Sequence, residues 1–575
     1  MDCKEKILSN DYADGVADFP VERVIGESDD VCYIKLDDRY YAVYQNRLYS
    51  PQLLGSANQY PYVPKVYGLM QTGGGGIQSN NIFDPGALID SGIRQLQGPP
   101  LYLKGNGVIL AIIDTGIEYN QPAFLNADGS SRILAIWDQT VQTGNPPQGL
   151  LFGTEYTREE INRALTSENP TEIVETNDPL RHGTIMAGIA AGSIVNGGST
   201  YIGAAPEADI VIVKLKECKP YLREFYFLPE GVAAYEENDI MLGVSYVNRF
   251  AVEFQKPVVI CLGIGTNMGD HAGNSFLGKY LNRIALSRSR AVVVCGGNEG
   301  NAQHHFNWEF TRGDEREAYR DVEVRVGEGE RGFLLEFWGS LPDIFNISIR
   351  SPGGETIPPI RLGVEQIDTY RFVFEDTVVT IQSVLVESGS GEEFFLFRFE
   401  NPTPGIWTFR VTAVGEVYNG GFHMWLPITQ FLSSETYFPQ SNPDTTITEP
   451  SMAEDVICVS NYNHENDSFY IEAGRGFSRT GAVRPDFVAP GVNVPTLYGN
   501  RTGSSLSAAM AAGGIAQFMQ WAVVERNSPL ADSREVRNYF IKGAKRMPTL
   551  SYPNKEWGYG MLNVLGVFER IRGDV

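Results

Sequence analysis

The chain has 575 residues, which is enough for three or four domains of ordinary size. Its 46 basic and 70 acidic residues give a formal net charge of −24 at pH 7. This balance argues against a nucleic-acid backbone or an anionic membrane surface as the main partner, and weakly favours a basic substrate or partner. Hydrophobic residues make up 42% of the chain, so a packed interior is expected rather than wholesale disorder.

Cysteine usage and the start of the chain indicate where the protein is made. The six cysteines include no CxxC pair, which argues against a disulfide framework or a structural zinc site. Cys261 and Cys295 lie inside apolar runs and are expected to be buried. Segment 1–15 lacks the apolar stretch of a signal peptide, and no apolar run reaches about 18 residues. We therefore expect cytoplasmic synthesis without a signal peptide, and no transmembrane segment.

The first 72 residues form a small unit in this interpretation. Segments 31–36 and 40–44 are rich in Tyr, Val and Ile and flank a polar turn, which predicts a hairpin. The run Gly73–Gly76 then interrupts the pattern. We predict a small α+β domain over 1–72 and a glycine-rich linker over 73–84.

Residues 85–312 alternate between strand and helix signals. Ile240, Val244, Val247 and Ala251 recur at helical spacing and predict one buried helix face. Continuous apolar runs predict strands that are buried on both faces of a parallel sheet. We therefore predict a doubly wound, mostly parallel α/β sheet, whose carboxyl-terminal strand ends form the functional edge. The runs lie at 108–113, 210–215, 258–262 and 291–295.

The hydrophobic pattern changes over 313–430, where apolar and polar residues alternate with a period of two between turn sequences. This pattern predicts an all-β, jelly-roll-like sandwich inserted into the α/β domain. Helical signals return over 431–575, with a long helix from Ser505 to about Val524. A shorter helix follows, which Asp532 or Ser533 could cap.

Three short segments place reactive side chains beside small residues. Asp114 ends a predicted strand, His182 begins a Gly/Ala-rich helix, and Ser505 follows a glycine at a predicted helix N-terminus. Each also has a plain structural interpretation, as a turn carboxylate, a core histidine or an ordinary helix cap. Ser504 and Ser507 compete with Ser505 for a reactive role.

The order Asp, His, Ser on a doubly wound α/β core is the order found in subtilisin. The segments IIDTG, HGTIMAG and GSSLSAA resemble the motifs of the subtilisin-like (subtilase) serine peptidases. The resemblance covers about residues 85–310 and 430–570. It implies a serine endopeptidase in which Asp114, His182 and Ser505 form the catalytic triad.

The same resemblance implies further site residues. The segment GNEG matches the family's oxyanion-hole segment and makes Asn298 the expected donor, although a turn residue in a glycine-rich loop would look the same. Leu262 and Gly263 lie where the family has its substrate-binding strand. The long interval between Asp114 and His182 implies a loop insertion around 138–175.

No cofactor is expected. The other histidines show no metal-ligand spacing, which indicates surface or structural roles, and no EF-hand-like loop occurs. Calcium often stabilises subtilases, but the sequence assigns no site for it.

The arrangement is most similar to the Csp-type germination proteases of spore-forming clostridia. That likeness implies an N-terminal prodomain that acts as intramolecular chaperone and inhibitor and stays in the cleft. It also implies self-cleavage between about Leu69 and Asp84, and action on a spore-cortex hydrolase precursor in a spore-associated setting. An uncut N-terminal domain, an esterase with the same triad, and a silent or prodomain-blocked binding or signalling protein remain the alternatives.

Overall fold

The computed structural model of the chain describes residues 1–24, 30–47, 63–70, 85–196, 199–311, 319–360, 363 and 365–573. The predicted glycine-rich linker over 73–84 lies outside the described residues. None of the described helices is long and apolar enough to cross a membrane.

The N-terminal unit contains a three-stranded antiparallel sheet in the order β1-β3-β2. The predicted hairpin is confirmed, because β2 and β3 pair antiparallel. Cys3 and Cys32 form a disulfide where α1 packs beside β2, a pair that the spacing of the cysteines did not predict. The elements are α1 (Cys3–Leu8), β1 (Tyr12–Ala17), α2 (Val21–Val24), β2 (Val31–Lys35), β3 (Tyr41–Asn46) and β4 (Val66–Leu69).

The central sheet has nine strands, and the four predicted apolar runs form β5, β10, β12 and β14 at its middle. These four strands pair in parallel. The elements before the insert are α3 (Gly86–Asp90), α4 (Ile93–Leu96), β5 (Ile109–Asp114), β6 (Ile133–Asp138), β7 (Thr154–Thr157), α5 (Arg158–Leu165), α6 (His182–Ala191), β8 (Ser193–Asn196), β9 (Ser199–Ile202), β10 (Asp209–Lys214), α7 (Pro220–Phe225), β11 (Tyr235–Glu236), α8 (Glu237–Glu253), β12 (Val258–Leu262), β13 (Ile264–Gly265), α9 (Phe276–Ala285) and β14 (Arg290–Cys295).

Helices cover both faces of this sheet. On β5, Leu110 and Ile112 face one apolar cluster, which includes α6 and the long helix near the C-terminus. Ile109, Ala111 and Ile113 face the other cluster, which includes α8 and α9. A strand buried on both faces must be apolar at every position, and this is why the runs could be read from the sequence.

The insert consists of two antiparallel sheets of six and four strands. An aromatic-rich core fills the space between them, and Phe337, Phe397 and Trp407 are fully buried in it. The first strand, β15, lies before the predicted boundary at 313 and pairs with β24. The strands are β15 (His305–Glu309), β16 (Arg320–Val326), β17 (Gly332–Gly339), β18 (Phe345–Arg350), β19 (Thr356–Ile360), β20 (Glu365–Phe372), β21 (Thr377–Val384), β22 (Glu393–Glu400), β23 (Gly405–Ala413) and β24 (Gly421–Trp425).

The last segment completes the central sheet and adds the predicted helices. The long helix covers Ser504–Met519 and continues into a π-helical turn, Gln520–Val524. Asp532 caps the next helix by accepting a hydrogen bond from the backbone N–H of Glu535. The elements are β25 (Ile457–Asn463), β26 (Ser468–Phe469), β27 (Phe487–Pro490), β28 (Val494–Thr496), β29 (Gly499–Arg501), α10 (Ser504–Met519), α11 (Ser533–Gly543) and α12 (Val564–Arg572).

Candidate active site

Asp114 is the last residue of β5, at the carboxyl-terminal edge of the sheet. Its side chain is fully buried, so it needs strong partners to remain charged. One carboxylate oxygen, Oδ1, lies 2.7 Å from the backbone N of Thr115 and 2.7 Å from His182 Nδ1. Because carboxylate oxygens only accept hydrogen bonds, Nδ1 of His182 carries the proton in this contact.

His182 begins α6, and glycine lets this helix approach β5 closely. A Cβ placed on Gly183 would lie 2.2 Å from the carbonyl oxygen of Gly116. The buried carboxylate of Asp178 accepts hydrogen bonds from the backbone N–H and the hydroxyl of Thr184. It also accepts a hydrogen bond from the Thr115 hydroxyl, so it ties the start of α6 to the end of β5.

Ser505 lies in the first turn of α10, a helix buried along its whole length. Its Oγ is 3.0 Å from Nε2 of His182. With the proton of His182 on Nδ1, Nε2 presents a lone pair and the serine hydroxyl donates to it. The structure therefore brings Asp114, His182 and Ser505 into one hydrogen-bonded row.

The electrostatics of this row favour a basic imidazole. Burial alone would lower the pKa of His182, but the charge of Asp114 and its hydrogen bond raise the pKa above its ordinary value. Asp178 adds to this effect. An imidazole with a raised pKa accepts a proton from the serine hydroxyl more readily.

Asn298 lies beside the start of α10. Its Oδ1 accepts a hydrogen bond from the backbone N–H of Ser504 at 3.0 Å, which fixes the plane of the amide. The side-chain N–H₂ group then remains as the donor end. Such a donor next to a serine nucleophile suits the stabilisation of a negatively charged oxygen.

Comparison with known proteins identifies the family of the chain. The family model of the subtilase family, Peptidase_S8, matches residues 105–315 and 408–560, which is more than half of the chain. The chain belongs to the subtilase family. The two matched segments lie on either side of most of the insert.

One solved structure is similar over most of both chains. The CspB protease of Clostridium perfringens is 28% identical, with a TM-score of 0.75, and the match covers 85% of this chain and 98% of that one. MycP1 from Mycobacterium smegmatis is a remote likeness, with 13% identity, coverage of 88% and 89%, and a TM-score of 0.37. No curated protein sequence matches the chain at a significant level. The subtilase is a serine endopeptidase with the fold of the CspB protease.

The cleft of this subtilase is filled by its own N-terminal unit. β4 lies between β11 and β13 and pairs antiparallel with both. Beyond β4, the backbone N–H of Met70 donates to Gly263 O at 3.0 Å. The carbonyl oxygen of Met70 accepts a hydrogen bond from the backbone N–H of Ser505 at 3.3 Å. Residues 66–70 thus run through the cleft as an extended strand that ends at the serine.

The two residues expected on the substrate-binding strand differ in position. Gly263 contacts the cleft strand through its carbonyl oxygen. It has no space for a side chain, because a Cβ there would lie 2.3 Å from Met186 Sδ and 3.0 Å from His182 Cε1. Leu262 is fully buried in the central sheet, beside Val294 in the neighbouring strand. The pairing with β4 continues from Gly263 into β13 rather than back into Leu262.

No group of three or more His, Cys, Asp or Glu side chains in the described part of the chain is arranged to hold a metal ion. The buried histidines have other contacts. His271 and His305 stack on Trp425, and His304 contacts Glu299. Cys261 and Cys295 are buried, as expected.

Sequence reasoning missed the residues that support or fill the site. Asp178 stands four positions before His182, and its place as a carboxylate just ahead of a helix start was the available signal. No sequence pattern indicated that Met70 would lie at the site, because its contacts are with Gly263 and Ser505, which are distant in the chain. Met70 lies at the start of the interval predicted for the cut, Leu69 to Asp84. Residues 71–84 of that interval lie outside the described residues.

Proposed function

We propose that Asp114, His182 and Ser505 are the catalytic triad of this endopeptidase, with Asn298 in the oxyanion hole. The observation that carries the proposal is the contact of the Ser505 backbone N–H with a peptide carbonyl, while the hydroxyl of the same residue lies 3.0 Å from Nε2 of His182. A carbonyl held in this way is close to the hydroxyl that would attack it.

The mechanism follows from the residue types. Ser505 Oγ attacks the carbonyl carbon while Nε2 of His182 accepts its proton, and Asp114 stabilises the imidazolium that forms. The Ser505 N–H and the Asn298 amide donate hydrogen bonds to the oxyanion. His182 then protonates the leaving amine, which leaves an acyl-enzyme. Water, deprotonated by His182, hydrolyses that ester and restores the serine.

The N-terminal unit is, in this proposal, a prodomain that the protein cuts from itself and that acts as folding chaperone and inhibitor. The carbonyl at Ser505 belongs to Met70, so the bond to be cut is Met70–Gln71, within the predicted interval of 69–84. Pairing of the cleft strand with both β11 and β13 supports this assignment. A fold of long-range parallel pairings forms slowly, and a bound template would assist it.

Retention of the prodomain after cleavage is supported by its contacts outside the cleft. Lys219 Nζ lies 2.9 Å from a carboxylate oxygen of Asp14, and both side chains are almost fully buried. The same ammonium group donates to the carbonyl oxygen of Tyr12. Arg283, exposed at the edge of the interface, pairs with Asp37 and Asp38. These contacts do not depend on the Met70–Gln71 bond.

We further propose that the protein cleaves a protein precursor, namely a spore-cortex hydrolase zymogen, during germination. The similarity to the CspB protease supports this substrate. The proposal includes cytoplasmic synthesis and a spore-associated location, and a jelly-roll-like insert, whose support is its two facing antiparallel sheets.

A second candidate function is a prodomain-blocked binding or signalling protein. It is favoured by the same filled cleft, since Ser505 and Asp114 have no exposed surface and His182 is 1% exposed. In this case the chain would bind a partner without turning over a substrate. Such a protein would not react at Ser505 even when the cleft is opened.

Labelling with a fluorophosphonate probe separates the two functions. We expect wild type to be labelled at Ser505 once the N-terminal fragment has been displaced from the cleft, and then to hydrolyse casein or the precursor in preference to simple esters. Ser505→Ala should do neither, and Ser528→Ala, which changes a distant serine, serves as the control. If wild type is not labelled even after the N-terminal fragment has been displaced, the enzymatic proposal is contradicted. A preference for simple esters over casein would favour an esterase.

A further inference from the structure

An acidic pocket surrounds the start of the strand that fills the cleft. Lys65 precedes β4 and is 8% exposed, which is unusual for a lysine. Four glutamates, all less than one tenth exposed, act on its ammonium group. They are Glu237, Glu336, Glu387 and Glu449.

Backbone contacts fix the position of Lys65 in this pocket. The backbone N–H of Glu237 donates to the carbonyl oxygen of Lys65 at 3.0 Å, and a side-chain oxygen of Glu237 lies 3.5 Å from the backbone N of Lys65. A Cβ built on Gly269 would lie 3.2 Å from Glu449 Cγ and 3.5 Å from Lys65 Cε. The two side chains therefore enter the pocket side by side over this glycine.

The glutamates are held in place by fixed donors rather than by the lysine alone. Glu237 accepts from the backbone N–H of Leu277, and Glu449 accepts from that of Gly273. The second oxygen of Glu449, Oε2, is fully buried and has no hydrogen-bond partner among the described residues. A buried carboxyl group of this kind is stabilised in its charged form by a nearby positive charge, which Lys65 supplies.

The pocket is assembled by two parts of the chain. Glu237 and Glu449 belong to the α/β core, while Glu336 lies on β17 and Glu387 in a loop of the insert. Glu336 accepts hydrogen bonds from the backbone N–H of Gly269, in the core, and from Trp338 Nε1. The insert thus supplies half of the acidic groups next to the cleft.

Burial alone would lower the pKa of Lys65, but the four carboxylates raise it above its ordinary value. Burial raises the pKa of Glu449 to about 8, the charge of Asp270 adds to this, and Lys65 opposes it. A pocket emptied of its lysine would keep several carboxyl groups in a poorly solvated space. A segment that replaces β4 without a basic side chain would remove the positive charge that Lys65 places near these groups.

We infer that this acidic pocket is a specificity subsite, which binds a lysine or arginine side chain five residues before the residue whose carbonyl is attacked. The inference rests on the proposed function, because it treats residues 65–70 as a substrate strand that ends at Met70. It extends that function by naming a substrate class: protein segments with a basic residue at the sixth position before the cut bond. The insert takes part in substrate selection through Glu336 and Glu387.

The first test follows the release of the prodomain from self-cleaved protein. Lys65→Met keeps an unbranched side chain without the charge, and Lys65→Arg keeps the charge. We expect the Met variant to lose the N-terminal fragment at least about 10-fold faster in gel filtration after dilution. Lys65→Arg should retain the fragment as wild type does, and so should Lys35→Met, which removes an exposed lysine of the same unit. Equal release from Lys65→Met and wild type would overturn the inference.

The second test leaves the prodomain unchanged, so it does not depend on the folding of a Lys65 variant. Two synthetic peptides with the sequence of residues 64–70, one with norleucine in place of lysine, compete for the cleft of self-cleaved wild type. We expect the lysine peptide to release the N-terminal fragment at a concentration at least about 10-fold lower. Glu237→Gln should reduce this difference between the two peptides, whereas Glu253→Gln, an exposed change on α8, should not.

The outcomes separate the two levels of the proposal. A cleaved wild-type chain that responds equally to both peptides would overturn the subsite and leave the peptidase intact. A wild-type chain that is never cleaved would contradict the proposed function, and the subsite inference would fail with it.

Discussion

Ser505 donates its backbone N–H to the carbonyl oxygen of Met70 and its hydroxyl to Nε2 of His182. The first contact is possible because Ser505 lies in the first turn of α10, where backbone N–H groups have no partner within the helix. The positive end of the helix dipole also points at the carbonyl. In the proposed mechanism, this one position at a helix start supplies both the nucleophile and one oxyanion donor.

The variant Asn298→Asp tests the second proposed oxyanion donor, the side-chain amide of Asn298. The variant keeps an oxygen that can accept from the Ser504 N–H but replaces the donating amide by a carboxylate oxygen. We expect the rate of self-cleavage to fall by about 10²–10³, as for loss of one oxyanion donor. The rate is measured by intact mass over time, and thermal unfolding reports whether the fold is unchanged. A near-wild-type rate would mean that Asn298 is a turn residue.

The three residues of the proposed triad could be selected from the sequence because each lies in a short motif with a defined local geometry. Asp114 ends a strand that is apolar throughout, and His182 begins a helix of small residues. The acidic pocket could not be predicted in this way. Glu449 and Lys65 meet only in the folded chain, and neither lies in a pattern that distinguishes it from a surface residue.

At the scale of elements, the fit of β4 in the cleft depends on glycines. Gly68 of β4 lies opposite Gly265 of β13. A Cβ on Gly265 would lie 2.4 Å from Thr448 Oγ1 and 3.1 Å from Met70 Cε. The strand pair can therefore form only without a side chain on β13 at this point.

Gly265→Val should displace β4 from the cleft. Overpacking of this kind costs about 1–3 kcal/mol, so we expect self-cleavage to slow by at least about 10-fold. Gly98→Val is the matched control, because a Cβ on Gly98 would meet nothing within 4 Å. Time courses of intact mass measure both variants. Equal rates in the two would show that β4 does not occupy the cleft when the cut is made.

The paired strands β15 and β24 carry two histidines in contact, of which His305 is buried and His423 half-buried. His305 Nδ1 donates to Asn442 O, and its Nε2 lies 2.9 Å from His423 Nδ1. Burial lowers the pKa of His305 to about 3, and nearby His271 contributes. Burial and the charge of His305 lower the pKa of His423 well below its ordinary value. Both side chains therefore fold in the neutral form.

Acidification should destabilise the protein through this pair. In the unfolded chain these histidines take up protons below about pH 6.5, whereas in the folded protein His305 binds a proton only near pH 3 and His423 only well below its ordinary pKa. Between these values the unfolded state binds more protons, so the free energy of unfolding falls as the pH falls. For His305 the loss from pH 6.5 to 4.5 is about 2 kcal/mol.

The double variant His305→Gln/His423→Gln isolates this effect, since glutamine retains a donor and an acceptor without titrating. Between pH 6.5 and 4.5, we expect the free energy of unfolding of this variant to fall by about 2 kcal/mol less than that of wild type, or by a larger margin if His423 contributes. Urea unfolding at several pH values gives the comparison. Parallel pH profiles for the two proteins would contradict the assignment.

Elements differ in how far the sequence defines them. The strands β5 and β12 are apolar without interruption, and those of the insert alternate, so both kinds were predicted from their own residues. The sheet β11-β4-β13 was not predictable, because two of its strands have only two residues. Its pairings join segments that lie far apart in the chain.

For the whole molecule, the family match on both sides of the insert accounts for one α/β core split in the sequence. The insert could be recognised as a β domain from its alternation, but its approach to the cleft could not, since that depends on Glu336 contacting Gly269. The N-terminal unit likewise showed a hairpin, while its place across the active site arises from contacts with the core. The sequence thus predicts the parts better than their assembly.

The most direct test of the account is the intact mass of the purified protein. We predict that wild type is recovered as two polypeptides, residues 1–70 and 71–575, which co-elute, and that the longer one begins at Gln71. Ser505→Ala should remain a single chain of 575 residues under the same conditions. A wild type that stays intact, or a Ser505→Ala chain with the same cut, would contradict the claim that this serine attacks the carbonyl of Met70.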